Sequence, residues 1–214
     1  MKTLKVPFVG NAENPSDRCV PAVLAMVLGY FMPERKFTKP ELEQMCGYVP
    51  GKGTWKAQMM LNLADLGFQT KWIEDFDNPA FVKDPVGYLA TILDKEALDW
   101  QINNSDLPKE AERIKQYMDK GLPLEQRKGT RRDIKDLLDG GWLVMLDVNE
   151  NVIAGVPGYL GHDILVIGYD DKNVTIHNPD GNNGNVPNQV ISWELLEQAW
   201  KDFGGSYTIY AFKK

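Results

Sequence analysis

The stretch Asp17–Phe31, DRCVPAVLAMVLGYF, constrains this chain most. It reads as a single helix that is apolar almost all the way round, and such a helix has to be buried in a core. Pro21 suits the first turn, where a missing N–H costs little. Asp17 or Ser16 is placed to cap the free amides before it. Cys19 stands at the mouth of this helix. A thiol there feels the positive end of the helix dipole, which favours thiolate. Taken alone, a free cysteine is more often a small core residue.

Two cysteines, Cys19 and Cys46, do not make a disulfide framework. A zinc site would need both of them together with His162 and His177, and no CxxC or HxxxH spacing supports one. We expect no metal and no cofactor. Net charge is −6 in 214 residues, so there is no basic surplus to neutralise phosphates, and no nucleic-acid partner is expected. The longest apolar run, Val20–Met32, is too short and interrupted for a membrane span. MKTLKVPFVGN lacks an apolar core of signal-peptide length, which points to a cytoplasmic chain.

Along the chain, residues 3–9 read as a short strand or extended arm, and 11–16 as a loop. Thr38-Lys39-Pro40-Glu41 is a capping box, opening a short helix that Gly47 ends. A second helix starts near Thr54 and ends at Gly67, with Met59, Met60, Leu63 and Leu66 on one face. Phe68–Ile73 alternates like a strand. Residues 75–129 are charged, contain Pro79, Pro85, Pro108 and Pro123, and show helices near 85–98 and 108–120 without strand signal. They read as a helical insertion or cap within a single domain spanning 1–214. Trp100 is the one large aromatic there suited to a binding surface.

Thr130–Leu138 is another capped helix, and Trp142–Val148 a strand. Asn149–Gly161 reads as a glycine-rich connection, with a short strand at Val152–Ala154. His162–Tyr169 is apolar on both faces, as a central strand is. A turn at 170–173 returns the chain as Val174–His177, and 178–188 reads as a polar loop. Ser192 caps a helix through Trp200, and Ser206–Phe212 is a last strand. Helices first and an antiparallel meander afterwards is α+β logic.

The two histidines carry the chemistry. If the turn is two residues long, 170 pairs with 173 and 165 with 178, which brings Asn178 near His162. A histidine at a strand start, oriented by an amide on the partner strand, is the base half of a Cys-His-Asn triad.

Two motifs together resemble a known family. RCVPAVLAMVLGYF resembles the nucleophile helix of the peptidase C39-like family within the papain-like cysteine peptidases, where the usual pattern is C-G-P-A and an apolar run. GHDILVIGYDDKNVTIHNPDG resembles that family's histidine motif. The resemblance covers about residues 5–74 and 130–212. It implies a papain-like fold, with a helical lobe bearing the nucleophile helix packed on an antiparallel β-sheet. It also implies a thiol hydrolase cleaving an amide bond in a peptide or peptide-like substrate. Cys19, His162 and Asn178 would be catalytic, with Asn11 and the Cys19 backbone N–H forming the oxyanion hole. Val20 replaces the usual glycine, Asn178 the common aspartate, and Asn11 the usual glutamine. A catalytically silent binding module and a thiol acyltransferase or amidase are the alternatives on the same scaffold.

Overall fold

A computed structural model describes residues 2–10, 17–201 and 207–214. The elements run β1 (Lys2–Thr3), α1 (Cys19–Phe31), α2 (Lys39–Cys46), α3 (Ala57–Asp65), β2 (Gln69–Glu74), α4 (Asn78–Lys83), α5 (Pro85–Ile92), α6 (Lys95–Asn104) and α7 (Leu107–Asp119). They continue with β3 (Leu124–Gln126), α8 (Arg131–Asp139), β4 (Leu143–Asn149), α9 (Glu150–Ala154), β5 (Gly161–Tyr169), β6 (Asn173–Gly181), β7 (Gly184–Ser192), α10 (Trp193–Lys201) and β8 (Ile209–Lys213). No helix among the described residues is long and apolar enough to cross a membrane.

One sheet in the order β3-β2-β8-β4-β5-β6-β7 organises everything, with β1 pairing β5 off that path. Every described pairing is antiparallel except β2 with β3. Alternate residues of a strand point to opposite faces, and the strands divide accordingly. Leu143 and Met145, Leu165 and Ile167, and Tyr210 and Phe212 join the core beneath α1 and α3. Val144 and Leu146, Ile164 and Val166, and Ile209 and Ala211 join a second core beneath α8 and α10.

The helix α1 buries Val20, Val23, Leu24, Met26, Val27 and Leu28. Each such side chain contributes roughly 1.5–3 kcal/mol through removal from water. Its cap differs from expectation. Arg18 is the N-cap and makes no side-chain cap bond. Asp17 instead accepts from the Tyr48 hydroxyl and the Gly51 amide, tying the helix start to the loop after α2. The capping boxes at Thr38 and Thr130 both form, and Gly47 ends α2 in the left-handed conformation.

Four local readings are corrected. Glu150–Ala154 is the helix α9 and not a strand, because the Asn149 side chain caps it and Gly155 closes it at φ +69°. The 178–188 region is no loop: β6 runs to Gly181 and β7 returns from Gly184. Residues 124–126, which lack a strand signal, lie parallel to β2 as β3. The β5–β6 register begins as expected, with Tyr169 opposite Val174, but a bulge between Val166 and Gly168 sets Leu165 opposite His177.

Helices α4 to α7 share the α1 core. Phe81, Leu89, Leu107, Ile114 and Tyr117 are all buried in it. Trp55, just before α3, stacks on Phe81 at 5.1 Å and donates to the Ser105 hydroxyl. This segment therefore holds the residue next to Lys56 in place.

Candidate active site

The start of β5 presents one functional side chain to each face. Asp163 shares the face of Leu165 and Ile167, beneath α1, and His162 shares the opposite face with Ile164 and Val166.

On the first face, Cys19 opens α1, a partly exposed residue. Its thiol donates to Asp163 Oδ2 at 3.3 Å. The other side of that carboxyl meets the Lys56 ammonium at 3.1 Å, and Lys56 also meets Asp147 at 2.5 Å. Both contacts are ion pairs between nearly buried side chains. Burial works against the Lys56 charge, and Asp147 and Asp163 more than reverse it. Burial likewise pushes both aspartates up, against the pull of Lys56.

The helix-dipole argument for an easily ionised Cys19 gives way to desolvation. Burial pushes the thiol up, and the Lys56 ammonium pulls it part of the way back. Cys46, fully buried as the last residue of α2, is pushed well up by burial.

On the second face, His162 Nε2 and Asn178 Oδ1 lie 2.8 Å apart. The bulge in β5 makes this pairing possible. Directly opposed residues of antiparallel strands share a face. Without the bulge, Asn178 would oppose Leu165 and point to the Cys19 side. With His177 opposite Leu165 instead, Asn178 falls on the face of His162. Behind Asn178, its Nδ2 donates to both Glu150 carboxylate oxygens at 3.2 and 3.1 Å and to Gln189 Oε1 at 3.2 Å.

The structure thus joins His162 to Asn178, and Cys19 to Asp163; the thiol's hydrogen bond goes to Asp163 and not to His162. Asp163 lies within electrostatic reach of both Cys19 and His162. Asn11 lies outside the described residues. His177 belongs to the structure of the N-terminal arm: its Nε2 meets the Val6 carbonyl at 3.0 Å, and the Asn188 amide donates to its Nδ1 at 3.1 Å. No group of three metal-ligating side chains occurs among the described residues.

The sequence reading missed Lys56, Asp147, Asp163 and Glu150. Two of these carried a signal. Asp147 in LVMLDVN and Asp163 in HDILVIG are lone charges inside strands apolar on both faces, and a buried charge needs a partner. Lys56 and Glu150 carried none, because each stands among ordinary polar neighbours.

A cysteine-bearing helix laid on an antiparallel sheet, with a histidine–amide pair at the strand end beside it, is the architecture of the papain-like fold. The model of the Peptidase_C39 like family matches residues 3–208, and the chain belongs to that family. No curated protein matches it significantly. Among solved structures it resembles a protein of Bacillus anthracis described as a C39-like peptidase, at 15% identity and TM-score 0.56, covering 100% of this chain and 98% of that one. It is also similar to a double glycine motif protease from an AMS/PCAT transporter, solved in complex with the leader peptide, at 15% identity and TM-score 0.49 over 99% and 93% of the two chains. The peptidase domain of Streptococcus ComA aligns at 16% identity and TM-score 0.48 over 96% of each.

Proposed function

We propose that the protein is a cysteine peptidase acting through Cys19, His162 and Asn178 on a peptide or peptide-like substrate. The observation that carries this reading is the His162–Asn178 pair, 2.8 Å apart at the strand end flanking the nucleophile helix. For the reaction, the Cys19 thiol has to leave Asp163 and reach round the start of β5 to His162, which stands on the other face of the strand, and there give up its proton. The sulfur attacks the scissile carbonyl carbon, and the oxyanion forms beside the helix N-terminus. Collapse breaks the C–N bond, and His162 returns the proton to the leaving amine. Water, deprotonated by His162, then cleaves the thioester and restores the thiol. Asn178 orients the ring throughout.

The thiol's contact with Asp163 favours a second reading, a binding module on the same fold in which Cys19 stays protonated. Incubation with a complex peptide mixture, followed by mass spectrometry of new chain ends, separates the two. The peptidase reading expects cleavage by the wild type and none by Cys19→Ala. Intact peptides with the wild type, retained equally by Cys19→Ala, would establish the binding module.

A further inference from the structure

We infer that Glu150 is a positioning residue of this site: it fixes which way the Asn178 amide faces, and through it the tautomer of His162. The functional part of this rests on the peptidase reading; the tautomer part stands without it.

Glu150 is fully buried at the start of α9. Its carboxylate has only acceptors to offer, and both oxygens face Asn178 Nδ2. Gln189 turns its Oε1 to the same nitrogen. Were the amide flipped, Asn178 Oδ1 would meet both Glu150 oxygens in a buried site, which offer no donor; Gln189, an amide that can turn, does not decide the matter. The amide is therefore held with Oδ1 toward His162. An oxygen accepts only, so Nε2 must carry the hydrogen, and Nδ1 is left as the nitrogen that takes a proton. Gly181 belongs to this arrangement: a Cβ there would collide with the Glu150 carboxylate and crowd Asn178 Nδ2. The closing glycine of HNPDG leaves room for the acid.

This accounts for asparagine at position 178. An aspartate there would lie against the buried Glu150 carboxylate, and two like charges in contact cannot both stay ionised. The negative charge stands one residue further back, and the Asn178 amide relays its orientation to the ring.

Imidazole nitrogen shifts in 15N-labelled protein test this. In the wild type, neutral His162 should be the Nε2–H form. His177 is an internal control: its Nδ1 accepts from the Asn188 amide and its Nε2 faces the Val6 carbonyl, so it should be Nε2–H in every variant. In Glu150→Gln, a side-chain amide can donate to a flipped Asn178, and His162 should become a tautomer mixture. On a cleaved peptide, kcat should fall about 10- to 100-fold with KM little changed, as when an orienting partner behind a histidine is lost. The exchange Glu150→Gln with Asn178→Asp again offers His162 Nε2 an acceptor, with the amide at 150 now donating to the carboxylate at 178, and should restore both the Nε2–H form and most of kcat. Asn178→Asp alone should not.

An unchanged His162 tautomer with kcat within about twofold in Glu150→Gln would overturn the inference, as would an exchange no better than the single variants. Should Glu150→Gln not fold, the wild-type spectrum decides, since an Nδ1–H or mixed His162 overturns the inference by itself. A wild type that cleaves nothing defeats the peptidase reading and leaves the tautomer measurement to judge Glu150.

Discussion

The two faces of β5 solve one problem in different ways. Beneath α1, Asp163 and Asp147 are buried with a lysine between them, so charge is met by opposite charge. Beneath the opposite face, Glu150 is equally buried, yet no cation touches its carboxylate among the described hydrogen bonds and ion pairs. An amide stands between it and His162. A direct ion pair holds its members tightly and fixes their charge states. An interposed amide fixes orientation and leaves the imidazole to exchange its proton. The first arrangement suits a scaffold and the second suits a base, and consecutive residues of one strand, His162 and Asp163, supply both.

The largest expected effect tests whether the faces work as one unit. Cys19→Ala and His162→Ala should each lower kcat by on the order of 10⁴-fold or more, and the double variant should be no worse than either single one. Additive losses in single-turnover assays would mean that the thiol and the imidazole act independently.

Next in size is Lys56→Met. It strands two carboxylates in the core and should cost about 3–5 kcal/mol in urea unfolding, far more than removal of an exposed ion pair such as Arg132–Asp136. A loss below about 1 kcal/mol would place the lysine outside the structural role given to it here.

Glu74, on the same side as Asp147, lacks a full counter-charge, and burial pushes its carboxyl up to about 7. A raised value means the folded state holds the proton more tightly than the unfolded one. The contribution is therefore most favourable below the ordinary carboxylate value and is lost as pH rises to about 7. Glu74→Gln should flatten stability across that window and be the more stable protein at pH 8, by up to about 3 kcal/mol. Parallel stability–pH curves for the two proteins would contradict this.

The smallest effect concerns the thiol. Asp163→Asn removes the carboxylate that accepts from Cys19 and leaves Lys56 nearby. The thiolate should then form more readily, and limiting iodoacetamide should label Cys19 several-fold faster at neutral pH. Cys46, buried and pushed well up, should stay unlabelled. Slower labelling of Cys19 would show that Asp163 assists ionisation.

Local chemistry was legible in the sequence wherever a rule needs only neighbours. Capping boxes at Thr38 and Thr130, the stop at Gly47, the helix after Arg18 and the apolar β5 run all follow from residues within one turn or one strand. The nearness of His162 and Asn178 also followed from hairpin spacing. What placed them on a common face was the bulge after Val166, and a pattern of apolar residues on both faces cannot reveal a one-residue shift, because either register buries it equally well.

By itself, then, the sequence determined most of the helices, the strands β2, β4, β5 and β8, the family and the residue types available for chemistry. Only the tertiary structure decided which of them meet. The thiol met Asp163 because α1 lies over the odd-numbered face of β5. Lys56 reached Asp147 and Asp163 because Trp55 is anchored on the α4–α7 segment. Glu150 came to stand behind Asn178 because α9 turns the chain back over the strand end. Each of these contacts joins side chains 28 to 144 positions apart, a distance over which composition and periodicity carry no information and only the packing of the sheet between its two layers of helices does.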